Sequence, residues 1–275
     1  ALARKGKLTV GLALLFALVV PAIVGGWAIP DALHRTGAFT ARLPPGAGGL
    51  LGTDALGRSV AVQFTEALPN SLQVGLIAAT IGTLLGAAVG FVSGYFGRWV
   101  DALLRVLIDV FLAVPSLLFL ILLASLLKGV GVVWMALIIG LFAWAWPARQ
   151  IRAQVLSLKE RPFVQVARLS GMSDLEIIAR ELLPHMFPWL GANFVNAALS
   201  AILAESGLSL LGLGPQQEAT LGMMIYWALS YSALFQGLWW WWVTPVLALT
   251  LIFLALYLIH LGLDEMANPR ARPAG

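Results

Sequence analysis

The sequence predicts an all-α, polytopic membrane protein with six transmembrane helices, and three observations predict it. Of its 275 residues 60% are hydrophobic and only 11% charged, with a mean hydropathy of +0.90, whereas a soluble domain carries roughly a quarter charged residues. Six apolar runs, 8–29, 71–92, 106–127, 129–148, 186–204 and 238–263, reach the roughly 20 residues a helix needs to cross a bilayer. The cations are also unevenly placed. With the N-terminus inside, 13 of the 17 Lys and Arg fall on inside segments, and only Arg35, Arg42, Arg58 and Lys128 fall outside. Cytoplasmic flanks collect Lys and Arg in this way.

A net charge of +4 does not indicate nucleic acid. The cations flank apolar runs instead of gathering on one solvated face, so the partner they fit is membrane lipid. The chain has no cysteine, which removes disulfides, thiolate metal sites and a cysteine nucleophile.

The elements follow in order. Arg4, Lys5 and Lys7 precede run 8–29, which is longer than the roughly 7 to 15 apolar residues of a signal peptide and is read as an uncleaved anchor. Residues 1–70 form this anchor and an extracytoplasmic segment, and 71–275 form the core unit of the remaining spans. In the second run Ala78, Gly82, Gly86, Gly90 and Gly94 recur every four residues, a stripe without bulk that lets another helix approach closely. In the third, Asp109 stands four residues after Arg105. It reads either as an intramembrane functional group or as half of a helical ion pair.

In the fifth run Asn193, Asn196 and Ser200 share a helical face that should avoid lipid, as a solute pathway or as an interhelical contact. Segment 221–238 is uncharged but short and broken by Ser230, Ser232, Gln236 and Gly237. It is read as interfacial or re-entrant, because a seventh span would lower the charge bias to 11 against 6. Trp239 to Trp242 open the last run, as an interfacial aromatic belt does.

The polar loop 149–185 holds ten of the thirty charged residues. Phe163, Val166, Ala167 and Ser170 repeat with helical spacing, and Leu175, Ile178, Ala179 and Leu182 do so again. Between them Gly171 suits the left-handed position that closes a helix, and Ser173 with Glu176 makes a capping-box pattern that opens another. Pro184 then interrupts. The expectation is two short amphipathic helices, each about 12 Å long, that either lie on headgroups or dock a partner.

The passage 163–184 resembles the cytoplasmic EAA loop of ABC-importer permeases, with Ala167, Gly171, Leu183 and Pro184 at matching positions, while Gln165, Val166 and Glu181 depart from the pattern. LGTDALGRS (51–59), GYFGRWVDALLRVLIDVFLAVPSLL (94–118), GLSLLGLGPQ (207–216) and LGLDEMANPR (261–270) are similar, in the same order, to segments of the second permease subunit of dipeptide, oligopeptide and nickel importers.

The resemblance implies a MetI-like ABC permease fold, a multi-pass protein of a bacterial or archaeal plasma membrane with both termini cytoplasmic. It implies a homologous permease as heterodimer partner, two cytosolic ATPase subunits, and an extracytoplasmic solute-binding protein. On it Phe163, Ala167, Arg168, Gly171, Asp174, Leu183 and Pro184 couple to an ATPase. ATP and Mg are then bound by the ATPase subunits, with no cofactor, metal or catalytic residue in this chain.

Other chemistries find less support. Gly52, Gly57, Arg58 and Ser59 stand one residue from a P-loop, but Arg58 replaces the phosphate-binding Lys. Ser206 lacks the glycine before it and the neighbouring base of an intramembrane serine protease. His34, His185 and His260 have no ligand spacing. An ion-coupled secondary transporter using Asp109 or Glu205 is the alternative of another class, weakened by the lack of an inverted repeat.

Overall fold

The computed structural model describes residues 2–47, 49–127 and 129–267, with the side chains of 2–5, Asp31 and Ala267 excepted. Lys128, Arg270 and Arg272, used in the charge comparison, lie outside the described residues, as does the end of the 261–270 motif. Helix α1 (Leu2–Ala28) is followed by a 3-10 turn (Asp31–His34), then α2 (Val60–Phe96), α3 (Arg98–Ala113), α4 (Ser116–Leu126), α5 (Val132–Phe142) and α6 (Ala145–Leu158). Then come α7 (Pro162–Leu169), α8 (Asp174–Glu176), a π-helical stretch (Ile177–Leu182), α9 (Leu183–Leu210), α10 (Leu221–Ser230) and α11 (Trp239–Ala267). Among the described residues the sole β feature is one isolated bridge, Thr53 to Ser59.

Four helical stretches are long and apolar enough to cross a membrane: Gly6–Ala28, Val60–Phe96, Asp174–Leu210 and Trp239–Met266. Two bent pairs, α3 with α4 at 73° and α5 with α6 at 42°, bring the number of candidate spans up to six when each pair is counted as one broken span. The sequence gives reasons for both bends. Pro115 follows Val114 between α3 and α4, and a residue before proline is pushed out of the helical region; Val114 indeed has ψ 124. Phe142 to Trp144 carry the second bend, where α6 leaves the apolar run and becomes polar. Segment 221–238 contributes only the ten-residue α10, about 15 Å long and too short to cross.

Two expectations need correction. Run 129–148 is not one straight helix: it breaks after Phe142, and α6 carries on ten residues beyond it to Leu158. Nor is the second loop helix separate from the fifth span, because Asp174 to Leu210 is continuous. Pro184 ends nothing although it stands inside that continuous helix, because it directly follows the π-helical stretch, where the regular hydrogen-bond ladder is already interrupted. The π-helical stretch before it, with a wider hydrogen-bond spacing, connects the two.

The packing centre is α2. An ideal Cβ on Gly82 would stand 3.0 Å from Ala143 Cβ, and one on Gly86 2.8 Å from the Trp144 carbonyl. At Gly90 it would lie 2.8 Å from the Ala148 carbonyl, and at Gly94 2.9 Å from that of Arg152. The four glycines thus let α6 lie backbone-close along α2, gaining dispersion contacts where lipid offers no hydrophobic drive. The same device repeats elsewhere: Gly140 approaches Ala78 and Ile81, Gly75 approaches Ile202, and Gly11 and Gly262 seat α1 on α11. Lys7 and Glu265 pair across that last contact.

The 51–59 motif is a folded corner in front of α2. Asp54 is fully buried and its carboxylate accepts from the backbone N–H of Leu56 (2.8 Å) and Arg58 (2.9 Å), from Arg58 Nε (2.7 Å) and from Gln63 Nε2 (3.0 Å). A buried carboxylate persists only when so satisfied. Trp240 Nε1 donates to the Thr53 carbonyl at 3.1 Å, tying the corner to α11. Gly52 and Gly57 both have φ +70, and the Cβ of any other residue at 52 would meet the Leu43 carbonyl at 2.6 Å. A carboxylate at the centre repels phosphate, so the near-P-loop spacing serves this corner.

Candidate functional site

Two features separate from the general packing: an exposed loop at the α6–α7 end of the bundle, and a cavity above it between α3, α4, α5, α6 and α9.

The loop is built outward from α6. Pro162 starts α7 at its first position, where a proline is preorganised. Gly171 closes it with φ +82: Gly171 N–H donates to the Arg168 carbonyl (3.0 Å) and Met172 N–H to that of Ala167 (3.2 Å), the paired bonds of a Schellman end. Ser173 and Glu176 form a capping box, with Ser173 N–H donating to Glu176 Oε2 at 3.0 Å. The chain therefore reverses between two fixed helix ends.

The predicted coupling residues divide by position. Ala167 and Val164 are buried with Ile151, Val155, Ile177 and Leu182 in a cluster that reaches Phe91 and Tyr95 of α2. Phe163 stacks on His185 at 4.6 Å. Arg168 lies over the Tyr95 ring at 5.5 Å, and Tyr95 Oη donates to Asp174 Oδ1 at 2.7 Å. These residues hold the loop onto α2, α6 and α9. Gly171 and Pro184 are exposed, and Leu183 is half-buried against the same cluster.

Facing away from the bundle are Val166 (61% exposed), Leu169 (89%) and Leu175 (73%). Sequence periodicity placed Val166 on one face with Ala167, and it missed Leu169 and Tyr95 altogether. In an eight-residue helix clamped on one side, Val164 and Ala167 face inward and the next positions face out. Leu169 carries the signal that could have found it, a large aliphatic residue beside the helix-ending Ser170–Gly171 pair.

The cavity has a volume of about 500 Å³, within the usual size of a ligand site. It brings together Asn193, Asn196 and Ser200 of α9, and Ser116 of α4 is its other hydroxyl. Aromatic and aliphatic walls come from Phe111, Phe142 and Trp146 among others, and no charged side chain lines it. Asn193 Nδ2 is spent on the Trp189 carbonyl at 3.0 Å.

The other ionisable candidates are placed elsewhere. Glu205 is buried, its Oε1 accepting from Ser209 and Thr220, each at 2.7 Å. Ser206 is buried beside Glu205, and His260 instead pairs with the Ala192 carbonyl at 2.8 Å. His34 pairs with Glu66 and His185 with the Glu181 carbonyl. No histidine therefore serves Ser206 as a base, and among the described residues no cluster of three potential metal ligands occurs.

Residues 82–273, which take in the cavity, the loop and the glycine stripe, match the model of the family described as binding-protein-dependent transport system inner membrane component. The chain belongs to that family. As a member of this transport-system family it is similar to a putative peptide transport system permease protein of Brucella suis, 34% identical over 100% of this chain and 91% of that protein. It is similar to the oligopeptide transport system permease protein OppC of Mycobacterium tuberculosis, 33% identical over 83% of this chain and 78% of that one. The dipeptide transport system permease protein DppC of Bacillus subtilis is 35% identical over 98% and 84%.

Among solved structures, a chain of the MetNI methionine ABC transporter in an inward-facing crystal form superimposes with a TM-score of 0.56 at 17% identity. The match covers 75% of this chain and 95% of that one. At that identity the likeness concerns the fold, which is MetI-like. The bends of the two broken helix pairs carry part of the cavity wall, through Val114, Ser116, Phe142 and Ala143.

Proposed function

We propose that this chain is the permease subunit of an ATP-driven importer of peptides, working as a heterodimer with a homologous permease. Two ATPase subunits on the cytoplasmic side and a solute-binding protein on the other complete it, and ATP and Mg belong to the ATPases. Its relatives' names support the peptide class.

The observation that carries the reading is the continuity between loop and cavity. The exposed Val166, Leu169 and Leu175 belong to a loop whose two arms are α6 and the Asp174–Leu210 helix, and both arms supply cavity walls through Trp146, Asn193, Asn196 and Ser200. An apolar tip is what a partner cleft can desolvate, at roughly 25 cal/mol per Å² buried. On this reading nucleotide-driven movement of the ATPases shifts both cavity walls, provided the tip is held differently in the two states. The loop end is then cytoplasmic, together with both chain termini, and the Asp54 corner faces the binding protein.

The reading is tested with Leu169→Asp combined with Val166→Asp in the assembled transporter. The expected result is a permease pair that inserts normally, no longer retains its ATPase subunits on purification and takes up no peptide. Retained ATPases with normal uptake overturn it.

A further inference from the structure

Directly between the cavity and the loop lies a second, smaller pocket of about 200 Å³, lined by Arg105, Ile108 and Asp109 of α3 and Arg149 and Arg152 of α6. Ile108 joins the two spaces. It lines the lower one and packs in one cluster with Phe111, Leu112 and Ala145, which line the upper. The two pockets are thus successive turns of the same helix pair, neutral above and ionic below.

The ionic contacts are of two kinds. Arg152 is held bidentately: its Nε and one terminal nitrogen bind the two oxygens of Asp101 at 2.5 and 2.7 Å, and Ser93 donates to the same carboxylate at 2.6 Å. Asp109, by contrast, stands 3.7 Å from Arg105 and 3.6 Å from Arg149, outside the 2.7–3.2 Å range of a hydrogen bond. One carboxylate is shared loosely by two guanidinium groups, 66% and 59% exposed, and neither donates a side-chain hydrogen bond to another of the described residues. A guanidinium matches a carboxylate with two parallel N–H bonds, so this pair is built for a second carboxylate.

We propose that Arg105 and Arg149 form a receiving site for the carboxylate of a solute leaving the cavity, with Asp109 as the internal group that competes for it. The inference rests on the cavity being the solute path and names the chemistry it serves there. Amide and apolar parts of the solute meet the neutral upper walls, where Asn196, Ser200 and Ser116 make no hydrogen bond among the described residues, while its acid end meets the arginines. Asp109 returns to the arginines once the solute has gone, which keeps the site from holding its cargo.

The test uses the transporter complex in phosphatidylcholine nanodiscs, without binding protein or nucleotide, and equilibrium dialysis of radiolabelled tri-alanine and its C-terminal amide. The wild type is expected to bind the acid more tightly. Arg105→Gln with Arg149→Gln is expected to weaken the acid by about tenfold, the low end for a charge-assisted contact at a hydrated site, with the amide unchanged. Asp109→Asn is expected to tighten the acid, a gain that a merely structural role does not produce.

Equal affinities for acid and amide in the wild type, or equal changes for both in the arginine variant, overturn the proposal, as does acid binding weakened by Asp109→Asn. Asn196→Leu with Ser200→Leu reports on the cavity separately, since it weakens both peptides if the path reading holds. If it changes neither while the arginine variant still discriminates, the path reading fails and the carboxylate site stands. Absence of saturable binding by the wild type overturns both.

Discussion

The hydroxyl of Tyr95, in the last turn of α2, donates to Asp174 at the start of α8, while the face of the same ring carries Arg168 at the end of α7. One side chain therefore fastens the end of α7 and the start of α8 to the bundle's central helix. Tyr95→Phe removes the hydroxyl bond and keeps the ring, at a cost of about 1 kcal/mol; Tyr95→Ala removes both. The expected outcome is trypsin cleavage after Arg168 that is faster in the phenylalanine variant and fastest in the alanine variant, followed on the purified complex.

Backbone-close packing along the glycine stripe sets a second expectation. In Gly90→Ala the new methyl must stand 2.8 Å from the Ala148 carbonyl and from Ile151 Cβ, and overpacking of this kind costs about 1–3 kcal/mol. Gly207→Ala is the control, because nothing lies within 4 Å of its Cβ position and alanine is the better helix former. Thermal unfolding in detergent should drop for the first and stay level or rise for the second. Equal midpoints would show that the stripe does not limit packing.

Asp54 gives a third. Asparagine keeps the shape but presents an N–H₂ group where Arg58 and Gln63 already donate, so Asp54→Asn loses charge-assisted bonds worth roughly 1.5–3 kcal/mol. Segment 31–59 should then be digested before the helical bundle, and Trp240, anchored on the Thr53 carbonyl, should report the change by fluorescence. Intact 31–59 at wild-type protease levels would contradict this.

Glu205 supplies the last. Its Oε1 receives the hydroxyls of Ser209 and Thr220, and Thr220 in turn caps α10 by accepting from Met223 N–H at 3.1 Å. In Glu205→Leu two buried hydroxyls lose their acceptor, each costing about 1–3 kcal/mol. Glu205→Gln keeps a carbonyl oxygen in place and is expected to retain most of the stability. Unfolding midpoints of the two variants that fall together would show that the carboxyl oxygen is not what holds α10.

How much of this was readable beforehand depended on range. Local rules sufficed for the loop's punctuation: Gly171, Ser173 and Glu176 announce a helix end and a helix start within six residues, and both occur. The six apolar runs likewise announce the spans. Long-range facts were hidden. Nothing adjacent to Gly82–Gly94 names residues 143–155 as the surface they meet, and nothing near Tyr95 names Asp174, which follows 79 residues later.

The loop's apolar period was legible but its division was not, because a short helix with apolar residues on several sides does not reveal which side the bundle takes until α6 is in place. Pro184 was misread for a related reason. A proline removes one hydrogen bond from a helix interior, and the adjoining π-helical stretch, which already departs from the regular ladder, lets the helix run on through it. Asn193, Asn196 and Ser200 could be assigned to one face by spacing; that the face opens on a void with Ser116 and Trp146 required the bends of the neighbouring spans.

The π-helical turn at Ile177–Leu182 is followed closely by Pro184 and by Pro188 inside α9. Proline cannot supply the amide that would brace the preceding turn, so the twelve residues in which the regular helix ladder is interrupted sit where the loop's outgoing arm enters the bundle. The incoming arm, α6, has no such collar and is welded to α2 along its length. The loop is therefore carried on one arm fastened along the bundle and one arm jointed at its base.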